Sequence, residues 1–115
     1  MAGVAYKRNF GPLALTTTLT TNVYQGGGGS ALIYDLIRHI HLVNKTASAV
    51  TVSLWLGATG ANAAGTEIFN GLSIAANSTY DYYCYLKMTS SDFLVGGSNT
   101  TTAVTIYGEG EQYVV

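Results

Sequence analysis

The chain contains one cysteine, Cys84, so no intramolecular disulfide can form and the fold must rest on its core. Charge is scarce too: 10% of residues are charged, against about 25% in an average soluble domain. The surface must therefore be built from Thr, Ser, Gly, Asn and Tyr, which suits contact with other molecules. No apolar run approaches the roughly 20 residues of a membrane helix; the positive mean hydropathy comes from alternation and small residues. A soluble protein with no membrane partner is expected. Nothing at the N-terminus combines a basic start, an apolar run and a small-residue cleavage site, so synthesis and use without export are expected. Lys7, Arg8, Arg38, Lys45 and Lys87 are scattered in a chain of net charge -1, which leaves no positive stripe for phosphates and argues against a nucleic-acid partner.

What is present is alternation. Val50, Val52, Leu54 and Leu56 alternate with Thr51, Ser53 and Trp55, the period-2 signature of a half-buried strand. Ile40 to Val43 reads as its partner, joined through Asn44-Lys45-Thr46-Ala47-Ser48 as a central hairpin. Upstream, Leu13, Leu15, Leu19 and Val23 suggest a first strand. Gly26-Gly27-Gly28-Gly29-Ser30 reads as a flexible loop, and no Lys follows it to make a phosphate loop. Between Ala31 and Val43 the apolar phase changes, which implies either a strand buried on both faces or a bulge near residues 34 to 37. Asn70-Gly71 reads as a hairpin turn. Residues 79 to 88 form an aromatic strand, with Tyr80, Tyr82, Cys84, Leu86 and Met88 on one face and Tyr83, Tyr85 and Lys87 on the other. Phe93 to Val95, Val104 to Tyr107 and Tyr113 to Val115 supply shorter strands, with glycines between them as punctuation.

At 115 residues the chain fits one domain that buries roughly 65% of its unfolded surface. About eight strands with turn signals every 8 to 12 residues predict an all-β, single antiparallel β-sandwich of jelly-roll or Ig-like type. Residues 1–12 lack any period and read as an extended N-terminal arm, leaving residues 13–115 as the sandwich domain.

Candidate chemistry is sparse. His39 and His41 stand two apart on one strand face and are weak candidates for a metal, but the local sequence offers no third ligand, so no metal or cofactor is expected. There is no G-x-S-x-G nucleophile elbow, and Glu109 and Glu111 read as a solvated rim, so no enzyme is expected. Cys84 is expected to be inward, reduced and unreactive. Asn44-Lys45-Thr46, Asn77-Ser78-Thr79 and Asn99-Thr100-Thr101 match the glycosylation pattern by chance in so Thr-rich a chain. Interface candidates are Lys7, Arg8 and Phe10 of the arm, the aromatic residues Trp55, Tyr83 and Tyr85, and the acids Glu109 and Glu111, onto which Lys7 and Arg8 of a neighbouring copy could dock. Tyr and Trp are enriched as interface anchors; the same rings would also suit sugar.

The segments Ile40-His41-Leu42-Val43-Asn44-Lys45-Thr46 with Val50-Thr51-Val52-Ser53-Leu54, then Leu72-Ser73-Ile74-Ala75-Ala76-Asn77-Ser78 and Val104-Thr105-Ile106-Tyr107-Gly108-Glu109, resemble small β-sandwich structural proteins of tailed-bacteriophage virions. The likeness spans roughly residues 32 to 111. It implies an architectural role in the virion, after synthesis in the host cytoplasm: a capsid decoration or cement protein. A neck or tail component, connector or baseplate associated, is the alternative within the virion. Copies of itself and major capsid or neck and tail proteins are the implied partners. A carbohydrate-binding module is the alternative from another class.

Overall fold

The structure is a computed structural model that describes residues 3–114. Eight strands follow one another as β1 (Gly3–Ala14), β2 (Asn22–Gln25), β3 (Ile33–Asn44), β4 (Val50–Gly57), β5 (Glu67–Ile74), β6 (Thr79–Met88), β7 (Phe93–Ser98) and β8 (Val104–Val114). They form two antiparallel four-stranded sheets, ordered β1-β8-β3-β6 and β2-β7-β4-β5. Each of the pairs β1/β8, β2/β7, β3/β6 and β4/β5 is antiparallel, as in a long hairpin rolled onto itself, which is the jelly-roll order. The expected all-β sandwich of eight strands is what the chain forms. No helix among the described residues is long and apolar enough to cross a membrane.

Alternation builds the core. Val50, Val52 and Leu54 of β4 face Ile40 and Leu42 of β3 and Val104 and Ile106 of β8 in one buried cluster between the sheets, with Leu56 half-buried at its margin. β-branched residues pack well on such pleated faces and lose χ1 freedom in helices, so the strand state wins locally.

Five expectations need correction, each for a non-local reason. Residues 1–12 are not a separate arm from Gly3 onward: β1 pairs with β8, Phe10 lies in the core, and Asn9 donates to the carboxylate of Asp35 at 2.7 Å. Met1 and Ala2 lie outside the described residues. The second correction concerns β3 and β4, which belong to different sheets. Their connection is a corner between layers, held by the buried Asn44 side chain.

Third, the Asn70-Gly71 step is a bulge inside β5, where Gly71 N–H donates to Ser53 Oγ at 3.0 Å. Fourth, the four glycines form a 3-10 turn, Gly26–Gly29, with Gly26 and Gly27 buried. Gly27 adopts φ 62° and its N–H donates to Asp35 Oδ2 at 2.5 Å; Tyr24 Oη donates to the same oxygen at 2.8 Å. Fifth, the expected first strand is split: Leu13 lies in β1 and Val23 in β2, while Leu15 and Leu19 fall in the connection between them.

The phase change in β3 is a bulge at Arg38, between Ile37 and His39, where the register against both neighbours shifts. β1 carries its own shift between Arg8 and Phe10. Because a bulge turns successive side chains to new faces and bends the strand, these steps place Asp35 and Ile37 inward while His39 and His41 stay outward.

Candidate functional site

The outer face of the β1-β8-β3-β6 sheet carries the chain's concentrated chemistry. From β3 come Arg38, His39 and His41; from β6 Asp81, Tyr83 and Tyr85; from β8 Tyr107, Glu109 and Glu111; from β1 Tyr6 and Arg8. A groove of about 820 Å³ runs across this face, lined among others by Tyr6, Lys7, Arg8, Arg38, Tyr83 and Tyr85. Tyr6 is 82% exposed, and Tyr83 and Tyr85 are each 74% exposed. Together these three rings put a large flat apolar area on one face of the sheet.

Two polar clusters brace the groove. Arg38 donates through Nη1 to Glu111 Oε1 at 2.7 Å and through Nη2 to Tyr85 Oη at 2.5 Å, and its guanidinium lies 4.7 Å from the Tyr85 ring centre. Tyr113 Oη also donates to Glu111, and the Tyr113 ring stacks on Tyr34 at 4.9 Å. Hydrogen bonds from Tyr113 and Arg38 hold the Glu111 carboxyl below its ordinary range. In the second cluster His39 Nε2 and His41 Nδ1 both meet Asp81 Oδ1, at 2.8 and 2.5 Å, and His39 Nδ1 meets Glu109 Oε1 at 2.9 Å. Burial pulls the His39 imidazole towards its neutral form, but hydrogen bonds to Glu109 and Asp81 outweigh it and raise its pKa. The bonds from His41 and His39 hold Asp81 low.

Glu111 supplies a pH prediction. Its folded pKa lies below its ordinary value, so its contribution to stability is present above about pH 4.3 and is lost as pH falls through the depressed folded value. Glu111→Gln should therefore be less stable than the wild type at neutral pH, with the gap closing below about pH 4. Urea melts across that range check it; a gap that stays constant would mean that the Arg38 and Tyr113 bonds do not stabilise the ionised form.

The sequence candidates divide. Lys7, Arg8, Tyr83, Tyr85 and Glu109 all line the groove. Phe10, by contrast, stacks on Tyr24 at 5.1 Å inside the core, and Trp55 is only 7% exposed, so neither offers a ring to a partner. Glu111 is buried and bound by Arg38. Arg8 stands opposite Glu109 in the β1/β8 register, yet the ion pairs of Glu109 and Glu111 go to His39 and Arg38. Glu111 thus offers no open carboxylate to Lys7 or Arg8 of a neighbouring copy, whereas the Glu109 side chain is 53% exposed. The cations are also less scattered than in sequence, since Lys7, Arg8 and Arg38 converge on the groove.

Four contributors were missed: Tyr6, Arg38, Asp81 and Tyr107. Asp81 shares the outward parity of Tyr83 and Tyr85, a signal that was present, but its meeting with the histidines requires the β3/β6 pairing. Cys84, expected to point inward, is half-buried against the core; its thiol donates to the Ile37 carbonyl at 3.4 Å and burial pushes its pKa up. Asn44 is fully buried, so in the folded chain it is no glycan acceptor. No protein-family model matches the chain, and no curated protein matches it.

Proposed function

We propose that the protein is a non-enzymatic structural component of a tailed-phage virion, a capsid decoration or cement protein that docks through the outer face of its β1-β8-β3-β6 sheet. The observation that carries this reading is the groove itself: three exposed tyrosines interleaved with Lys7, Arg8 and Arg38. Aromatic and Arg side chains are the usual anchors of protein interfaces. Arg38 is already paired with Glu111, so Lys7 and Arg8 remain to meet a partner surface that supplies carboxylates around an apolar centre. The sequence resemblance points to the virion, and jelly rolls recur in capsid domains, although a fold alone carries no function. Placement in a neck or tail would use the same surface.

A second reading follows from the same rings. Tyr83 and Tyr85 beside Arg38 and Glu109 combine flat apolar faces with hydrogen-bonding groups, as a carbohydrate-binding module requires. Co-sedimentation with assembled capsid shells separates the two. The wild type should pellet with shells and stabilise them, and the double variant Tyr83→Ser, Tyr85→Ser should bind at least about tenfold more weakly while remaining folded. Absence of shell binding, together with glycan-array binding by the dilute monomer, would favour the carbohydrate reading and end the structural one.

A further inference from the structure

We propose that His39, His41 and Asp81 form a binding site for one divalent transition-metal ion, with zinc as the first candidate. This goes beyond the contact function and does not depend on it.

The site is assembled from two strands. Alternation on β3 puts both imidazoles on the outer face, their ring centres 6.0 Å apart, and the β3/β6 register sets His41 directly opposite Asp81. One donor atom from each of the three residues lies within 4.8 Å of the other two. Zinc takes nitrogen and carboxylate oxygen at about 2.0–2.2 Å, so tetrahedral donors stand roughly 3.3 Å apart. Asp81 Oδ1 is 2.8 Å from His39 Nε2 and 2.5 Å from His41 Nδ1, so each of these two carboxylate contacts needs to open by less than about 1 Å to admit an ion. The Asp81 side chain is 39% exposed and has room to make that movement.

The surroundings point the same way. A ligating histidine commonly gives its other ring N–H to a carboxylate, which fixes tautomer and orientation. His39 Nδ1 has that partner in Glu109 Oε1 at 2.9 Å, leaving Nε2 directed at Asp81. The His39 ring is further held by stacking on Tyr83 at 4.7 Å and 11°, and the His41 ring packs on Tyr107 at 5.0 Å. Two imidazoles and one carboxylate suit zinc, nickel, cobalt or copper, whereas magnesium and calcium prefer all-oxygen sites. Three protein ligands leave a fourth position for water or for a donor from a docked partner. Binding needs neutral imidazoles and an ionised carboxylate, so any proton held between these groups is released to solvent as the ion enters.

The sequence reading, with two histidines and no third ligand, expected no stoichiometric zinc; the pairing of β3 with β6 supplies the missing ligand. The test uses the purified full chain stripped with EDTA and titrated with zinc chloride by calorimetry, with cobalt(II) absorbance as a second readout. One equivalent should bind saturably and raise the melting temperature. His41→Ala and Asp81→Ala, confirmed folded by circular dichroism, should lose saturable binding, while Glu109→Gln should keep the one-to-one stoichiometry and weaken affinity about tenfold or more. No saturable uptake by the wild type at millimolar zinc overturns the proposal, as does unchanged uptake by a folded His41→Ala, Asp81→Ala double variant. Neither result bears on shell binding, so the contact function stands or falls separately.

Discussion

Deleting residues 1–11 is expected to unfold the protein or to lower its melting temperature by at least about 20 °C. Phe10 is 6% exposed and packs in the core cluster, and removal of a buried Phe side chain alone costs about 3–5 kcal/mol. Asn9 leaves with it, and Asp35, itself fully buried, then loses one of its three donors, at about 1–3 kcal/mol for an unsatisfied polar group. β8 would also lose the partner that pairs along its length. The sum approaches the whole stability of an ordinary domain, about 5–15 kcal/mol. Phe10→Ala is the milder companion, at about 3–5 kcal/mol. A truncated chain that melts within a few degrees of the full one would restore residues 1–12 as a dispensable arm.

Asn44→Ala should cost about 3 kcal/mol or more in urea unfolding. The Asn44 amide donates to the carbonyls of Ser48, Ile74 and Ala75 at 2.8, 3.1 and 3.1 Å. Its oxygen accepts from Thr46 N–H at 3.0 Å and Thr46 Oγ1 at 2.7 Å. One side chain thus closes the corner after β3 and ties it to the end of β5. Asn44→Asp is the sharper probe, because it keeps the acceptor while turning a carboxylate towards three carbonyl oxygens. It should be at least as destabilising as Ala; wild-type stability in Asn44→Asp would show that the amide donors do not hold the corner.

Asn44 also shows where sequence reasoning stops. The alternation of β4 is local, so Val50, Val52 and Leu54 were legible as core. Whether β3 and β4 pair with each other or turn between sheets depends on what the corner touches, and Ile74 and Ala75 are some thirty residues away. Glycine misled for a related reason. Gly108 and Gly110 read as punctuation, yet β8 runs straight through them. A Cβ at Gly108 would lie 2.2 Å from the Phe10 ring, and one at Gly110 would lie 2.2 Å from the Leu36 carbonyl oxygen. These glycines mark close approach by other segments within a strand. Gly26 and Gly27 likewise serve a buried turn around Asp35.

At the site, parity correctly put Tyr83 and Tyr85 on an outward face and His39 and His41 on a shared one. Parity failed at Trp55, which alternates with the core residues Val52 and Leu54 and yet is buried, and Phe10, singled out by type in a segment without a period, lies in the core. Arg38 was invisible as a site residue because its outward position comes from a bulge. Asp81 required a neighbouring strand.

The central claim is that the protein works through the outer face of its β1-β8-β3-β6 sheet against a neighbouring virion subunit. A reconstruction of the intact particle, resolved well enough to trace side chains, tests it most directly. The account predicts density for the jelly roll on the particle, with Tyr6, Tyr83 and Tyr85 covered by a neighbouring chain and acidic groups of that chain near Lys7 and Arg8. A particle that lacks the protein, or one that carries it with these three tyrosines open to solvent, would contradict the account.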